Sequence, residues 1–264
     1  MKKFLKLTSI SMQSQMYYRT SFFLNLISPI IQLIGQFLLW IALYKQQAGA
    51  IGEFGYEAML TYMLFAFALN QLFNWSTENM ISKEIRTGMV VTRCIRPVSY
   101  LEQNIAQILG NVIIQFVVNS FIVIAAYVVF GKHLLQPELK NMVLFFFSFV
   151  LALILRIMFT DICSLLCFFC TGHLGITWTR IALFEFFSGA LIPVSLFPHL
   201  LKIVSYATPF PYIIQIPIAL LLGQPTLVPL ATCFIVQICW IFCLLFLHCV
   251  IYGRVRSNMT IAGG

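Results

Sequence analysis

Residues 142–170 read MVLFFFSFVLALILRIMFTDICSLLCFFC, and only Arg156 and Asp161 among them carry charge. A helix needs roughly 20 mostly apolar residues to cross a bilayer. This run exceeds that length, enough to tilt or to extend past the hydrocarbon. The whole chain shares its character. It is 61% hydrophobic and 9% charged, with 26 phenylalanines and a mean hydropathy of +0.94. A soluble domain carries about 25% charge. A chain this poor in charge cannot keep a water-facing surface, so composition defines an integral membrane protein. No polar stretch is long enough for a separate soluble domain, so residues 1–264 read as one membrane domain.

Working outward from that run, the same length criterion predicts six spans, near 22–44, 57–75, 104–130, 142–170, 178–197 and 227–252. The start, MKKFLKLTSISMQSQMYYRTS, has basic residues but no continuous apolar core and no small-residue cleavage site. It does not read as a secretory signal, so the first long apolar run is expected to be retained as a helix. Residues 1–20 read as an interfacial helix. Lys2, Lys6, Ser9 and Gln13 share one face, and Leu5, Met12 and Met16 lie away from it.

The segment 198–225, PHLLKIVSYATPFPYIIQIPIALLLGQP, is too apolar for an exposed loop. Pro209, Pro211 and Pro217 break any single spanning helix within it. Irregular backbone at membrane depth is tolerated only where protein or a cavity satisfies it. Short helices that dip into the outer face and return are the expected solution.

Charge sets the orientation. With the N-terminus inside, eleven of the sixteen Lys and Arg lie on the inner side and four on the outer, Lys45, Lys132, Lys140 and Lys202. Arg156 remains within the fourth span. The positive-inside rule then places both termini in the cytoplasm. Four of the inner cations, Lys83, Arg86, Arg93 and Arg96, fall in SKEIRTGMVVTRCIRPVSYLEQN, residues 82–104, between spans two and three. A short helix is predicted over 78–87, stopped by Gly88. Pro97 breaks the chain again, and Ser99 with Glu102 forms a capping box that starts the third span.

Catalytic chemistry has few footholds. There is no GxxxxGK[ST] phosphate loop, no HExxH and no GxSxG. His133, His173, His199 and His248 are scattered and read as interfacial or packed side chains. Cys163, Cys167 and Cys170 make a C-x3-C-x2-C string inside an apolar run, where cysteine behaves as a small hydrophobe rather than a metal ligand or bridge. Arg156, Asp161 and Glu185 are the intramembrane charges and form a candidate polar site. Either Arg156 pairs with Glu185 across helices, or Asp161 and Glu185 lie near enough to the cytoplasmic end to reach water. No catalytic pair and no metal site is expected.

The run Glu84-Ile85-Arg86-Thr87-Gly88 followed by Ile95-Arg96-Pro97-Val98-Ser99 resembles the coupling region of the ABC-2 type permeases, the membrane subunits of ABC exporters. SGALIPVSLFPHLL at 188–201, PFPYIIQIPIALLLG at 209–223, the C-terminal YGRVRSNMTIAGG and Trp178 agree with that family. CTGHLG at 170–175 is more polar than the family pattern, and cysteine is more frequent. The resemblance implies an all-α fold with six transmembrane helices, an N-terminal elbow helix (1–20), a cytoplasmic coupling helix (loop 78–98) and outer re-entrant helices (198–225). It implies a bacterial plasma-membrane exporter in which a second permease, identical or paralogous, and two ATPase subunits join this chain. ATP and Mg would be bound by the ATPase, with no cofactor in this chain and no nucleic-acid partner, only membrane lipid. Glu84, Arg86, Gly88, Arg96 and Pro97 are then the expected ATPase-coupling residues. The alternatives are an ATP-independent carrier or channel, which typically shows repeat symmetry between halves, and an intramembrane enzyme built on the three charges.

Overall fold

The computed structural model describes residues 2–17, 19–46, 52, 54–74, 77–89, 92, 95, 98–170, 173–224 and 229–258. The chain is all-α. Its helices are α1 (Lys2–Tyr17), α2 (Arg19–Gln46), α3 (Tyr56–Leu72), α4 (Glu78–Arg86), α5 (Tyr100–Phe130), α6 (Leu139–Leu166), α7 (Leu174–Phe187), α8 (His199–Tyr206), α9 (Gln215–Leu222) and α10 (Leu230–Asn258). Four have the length and composition to cross a membrane, over Ile27–Gln46, Tyr100–His133, Leu139–Leu166 and Leu230–Val255.

The two remaining expected spans come out short. Helix α3 has 17 residues and α7 has 14, about 25 Å and 21 Å at the usual rise, against a hydrocarbon core of roughly 30 Å. Helix α3 is shielded by protein: Met59 to Leu64 and Ala66 to Phe67 are buried almost without interruption. The predicted fifth span, 178–197, stops at Ser188. Gly189 takes φ +85°, and Pro193 and a 3-10 turn at Val194–Leu196 carry the chain away.

Helix ends obey local chemistry. The Ser99 hydroxyl accepts from the Glu102 amide (3.2 Å), and the Glu102 carboxylate accepts from the Ser99 amide (3.0 Å), so the capping box forms and α5 begins at Tyr100. Helix α4 ends with Gly88 at φ +70°, its amide bonded to the Ile85 carbonyl at 3.2 Å. Only glycine enters that left-handed region without strain. Pro217 lies in the first turn of α9, where no intrahelical N–H bond is lost. Pro29 lies inside α2.

The core is one large cluster around α3, α6 and α9, with α10 packed along α6. A smaller one gathers Ile81, Tyr100, Leu165 and Cys167 where α4, α5 and α6 meet. Helix α1 lies along α5 and contributes its small polar residues to the contact. Thr8 and Ser11 are buried, while Leu5 and Ile10 are exposed. Ser11 Oγ donates to the Gln107 carbonyl at 3.0 Å, and Gly110 allows the approach. A Cβ on Gly110 would meet Ser11 Cβ at 2.7 Å.

Candidate functional site

Helix α4 is split along its length. At its start Glu78 is fully buried and pairs with Arg180 of α7, Nε to Oε1 at 2.5 Å. The neighbouring Thr77 and Ser164 hydroxyls hydrogen-bond to each other, which joins α4 to α6. Ile81 fills the small core one turn on. Beyond it Lys83, Arg86, Thr87 and Gly88 are exposed, Glu84 is half-buried, and Met89 and Ile95 present apolar side chains at 58% and 77% exposure. Of the five expected coupling residues, Glu84, Arg86 and Gly88 therefore share the open end of α4. Arg96 and Pro97 lie outside the described residues.

The intramembrane charges are placed differently from expectation. Arg156 is buried; its Nη2 donates to the Phe73 carbonyl at 3.1 Å, and its guanidinium stands 3.8 Å from the Phe184 ring centroid. Among the described residues a buried ion pair joins Glu78 of α4 to Arg180 of α7. Glu185 is half-buried. Asp161 does not reach water: at 1% exposure it accepts from Asn104 Nδ2 of α5 at 2.8 Å and lies 2.6 Å from His248 Nδ1 of α10. Three long helices thus meet at one carboxylate. His248 stacks on Tyr252, and Tyr252 on Tyr100, which opens α5 directly after the capping box. Arg156 lies within electrostatic reach of Glu185, Glu78 and Arg180, whereas Asp161 is held by Asn104 and His248.

A second buried network holds the proline-rich segment. The Tyr62 hydroxyl donates to the Gly189 carbonyl at 2.8 Å and lies 2.5 Å from Gln215 Oε1, which also accepts from the Val194 amide at 3.1 Å. The Gln215 amide donates to the Ser188 carbonyl at 3.1 Å. On α10, Gln237 donates to the Tyr212 carbonyl (2.8 Å) and to Ser148 Oγ (3.0 Å). These amides satisfy backbone that no regular helix can satisfy. Cys163 and Cys167 are buried and Cys170 is exposed. The Cys167 thiol is directed at the Glu78 and Cys163 carbonyls.

Sequence reasoning missed Glu78, Arg180, Asn104, His248, Gln215 and Gln237 as parts of these networks. A signal did exist for two of them: Gln215 and Gln237 are lone amides in apolar surroundings, IIQIP and IVQIC.

The profile described as ABC-2 family transporter protein matches residues 30–263. That span covers most of the chain, so the chain belongs to the ABC-2 family of transporter proteins. It is a multi-pass membrane component of a transporter, a transport subunit rather than a catalyst. Neither a curated protein nor a solved structure shows significant similarity to it.

Proposed function

We propose that this chain is the permease subunit of an ATP-driven exporter in a bacterial plasma membrane, working with a second permease and two cytoplasmic ATPase subunits that bind ATP and Mg. Six membrane segments, with α3 and the α7 region completing the four long helices, would put both termini in the cytoplasm. Helix α1 would be the elbow at the inner interface, its exposed Leu5 and Ile10 turned to lipid. Segment 198–225 would shape the outer exit.

The observation that carries this reading is the division of α4. One end is anchored inside the protein by Glu78–Arg180, Thr77–Ser164 and Ile81, and the other presents Lys83, Arg86, Gly88 and Met89 outward. An element exposed at one end and rooted at the other passes a push on its open end to what it is rooted in. Here the roots are α6 and α7. ATPase closure against Arg86 and Met89 would move α4 as a rigid piece, and the buried ion pair would carry that motion to α7. The strand of sequence after α4 would deliver the same motion to α5 through Ser99 and Glu102.

The test is a pull-down of the tagged full chain from detergent-solubilised membranes, with co-purifying proteins identified by mass spectrometry. A cytoplasmic ATPase with a phosphate loop is expected, and a paralogous permease beside it would define a heterodimer. Gly88→Val, which forces a branched side chain into φ +70°, and Arg86→Glu should insert normally yet lose ATPase stimulation and export. Recovery of intact protein without any ATPase, or full export in both variants, would overturn the proposal.

A further inference from the structure

We infer that the cleft between α2 and α5 is a binding site for an anionic phospholipid, with one acyl chain lying between the helices and the headgroup held at Lys45. The cleft arises from packing. Helix α2 packs on α3, and α5 packs on α3 and α1, which leaves α2 and α5 side by side over an opening of about 870 Å³. That is the size range of small-molecule pockets, about 300–1,000 Å³. Its floor is Leu33, Phe37 and Ala126, each buried. Its rim is Ile34 and Phe121, each at least half exposed. Ala125 and Ala126 are the reason the space exists: two small side chains stand on α5 where its other lining residues are Val, Ile and Phe. Every lining side chain is apolar.

The position and polarity of the cleft select the occupant. It runs along α5 from Val117 to Phe130, about 20 Å at the helical rise, somewhat more than one leaflet of a roughly 30 Å hydrocarbon core. At the Phe37–Phe130 ring contact, centroids 4.9 Å apart, it gives way to a second pocket of about 380 Å³ lined by Ile41, Tyr44, Lys45 and Tyr56. Ile30, Leu33, Phe37, Ile41, Tyr44 and Lys45 follow one another at helical spacing on the same stripe of α2, so the two pockets lie in line along one helix face, with the Phe37–Phe130 contact between them. His133 packs edge-on against Tyr56, and Tyr56 against Tyr44. Among the described residues the end pocket thus offers a cation, Lys45, and aromatic rims, with no carboxylate in its lining. A chain-deep apolar slot that ends in a lysine and tyrosines at the end of a span matches the shape and charge of an anionic lipid. The inference needs only the spans α2 and α5 and is independent of any ATPase.

The experiment uses the full chain in phosphatidylcholine nanodiscs with a tracer of phosphatidylglycerol carrying a photoactivatable diazirine in its acyl chain. After irradiation, labelled peptides are mapped. Label is expected to concentrate on residues 30–37 and 117–130 and to be displaced by excess unlabelled phosphatidylglycerol. Ala125→Trp, which fills the slot, should cut that labelling at least about five-fold. Lys45→Gln should lower the preference for phosphatidylglycerol over a phosphatidylcholine tracer by about five-fold, the effect of one interfacial cation. If Ala125→Trp fails to fold by circular dichroism, displacement in the unmodified chain and the Lys45→Gln ratio decide alone. Label spread evenly over the exposed phenylalanines of all spans would overturn the inference, as would equal labelling by the two tracers. Disulfide trapping of Phe121→Cys to a second copy, with no label in the cleft, would overturn it too and make the cleft an interface between permeases. An ATPase in the pull-down together with any of these results would overturn this inference alone.

Discussion

Cutting the link between α4 and α7 is the sharpest perturbation available. Glu78 and Arg180 are 0% and 2% exposed and meet at 2.5 Å. Removing one charge from such a pair leaves the other buried without this partner, which costs about 3–5 kcal/mol. Replacing both by apolar groups of similar volume removes both desolvation penalties and is often near neutral. Glu78→Leu and Arg180→Met should therefore each destabilise by about 3–5 kcal/mol, while the double variant loses far less than the sum. Thermal unfolding in detergent, followed by tryptophan fluorescence, reads this directly. At about 2–4 °C per kcal/mol for a chain near this size, each single substitution lowers the midpoint by roughly 10 °C. The double variant should sit within a few degrees of the parent. Additivity of the two singles within about 0.5 kcal/mol would show that the pair is not coupled and would refute the reasoning. A stable double variant also isolates function, because α4 would then be held by packing and the Thr77–Ser164 hydrogen bond, and on the proposed coupling role ATPase stimulation should weaken while the fold persists.

Gly189→Ala places a Cβ 2.7 Å from both the Tyr62 hydroxyl and Gln215 Oε1 at φ +85° and should cost about 2–4 kcal/mol from backbone strain and displaced hydrogen bonds. Gly223→Ala, at φ +62° beside the movable tip of Asn141, should cost only about 1–2 kcal/mol; equal losses in thermal unfolding would contradict the Tyr62–Gln215 clamp. Gly110→Val drives α1 off α5, and hydrogen exchange of the 2–17 peptide should rise sharply with the rest of the protein unchanged; unaltered exchange would place the α1 contact elsewhere. Asp161→Leu removes the acceptor of Asn104 Nδ2 and the carboxylate beside His248 and should cost about 2–4 kcal/mol. Asp161→Asn keeps an acceptor for Asn104 and should cost less than half as much, so equal costs would show that the hydrogen bond carries no weight.

What could be read before folding was whatever short-range rules control. The four long spans follow from apolar length. The ends of α4 and α5 follow from Gly88 and from Ser99 with Glu102, residues that act on neighbours three or four positions away. What could not be read was pairing across distance. Glu78 and Arg180 are 102 residues apart, and Asn104 and Asp161 are 57 apart. No local pattern indicates that such groups will meet. Arg156 shows the same limit, since the carbonyl of Phe73 and the ring of Phe184 are partners that composition does not advertise. The helix of the fifth predicted span ends earlier than its run of sequence because the break at Gly189 comes from backbone conformation, φ +85°, and the residues beyond it, Ala190 to Ile192, are apolar again. Helix α1 shows the same limit in reverse, since small size, not hydrophobicity, decides which of its faces docks.

The hold of Ser11 on Gln107 and Gly110 makes the first two helices of the chain answer to different masters. Helix α2 packs on α3, but α1, its immediate predecessor, rides on α5 as an outrigger rides on a hull. A roll of α5 about its own axis would sweep α1 sideways across the membrane surface. The start of α5 is itself tied to α4, since Tyr100 shares a small core with Ile81. The outrigger would therefore convert a small twist of α5 into a sideways displacement of α1.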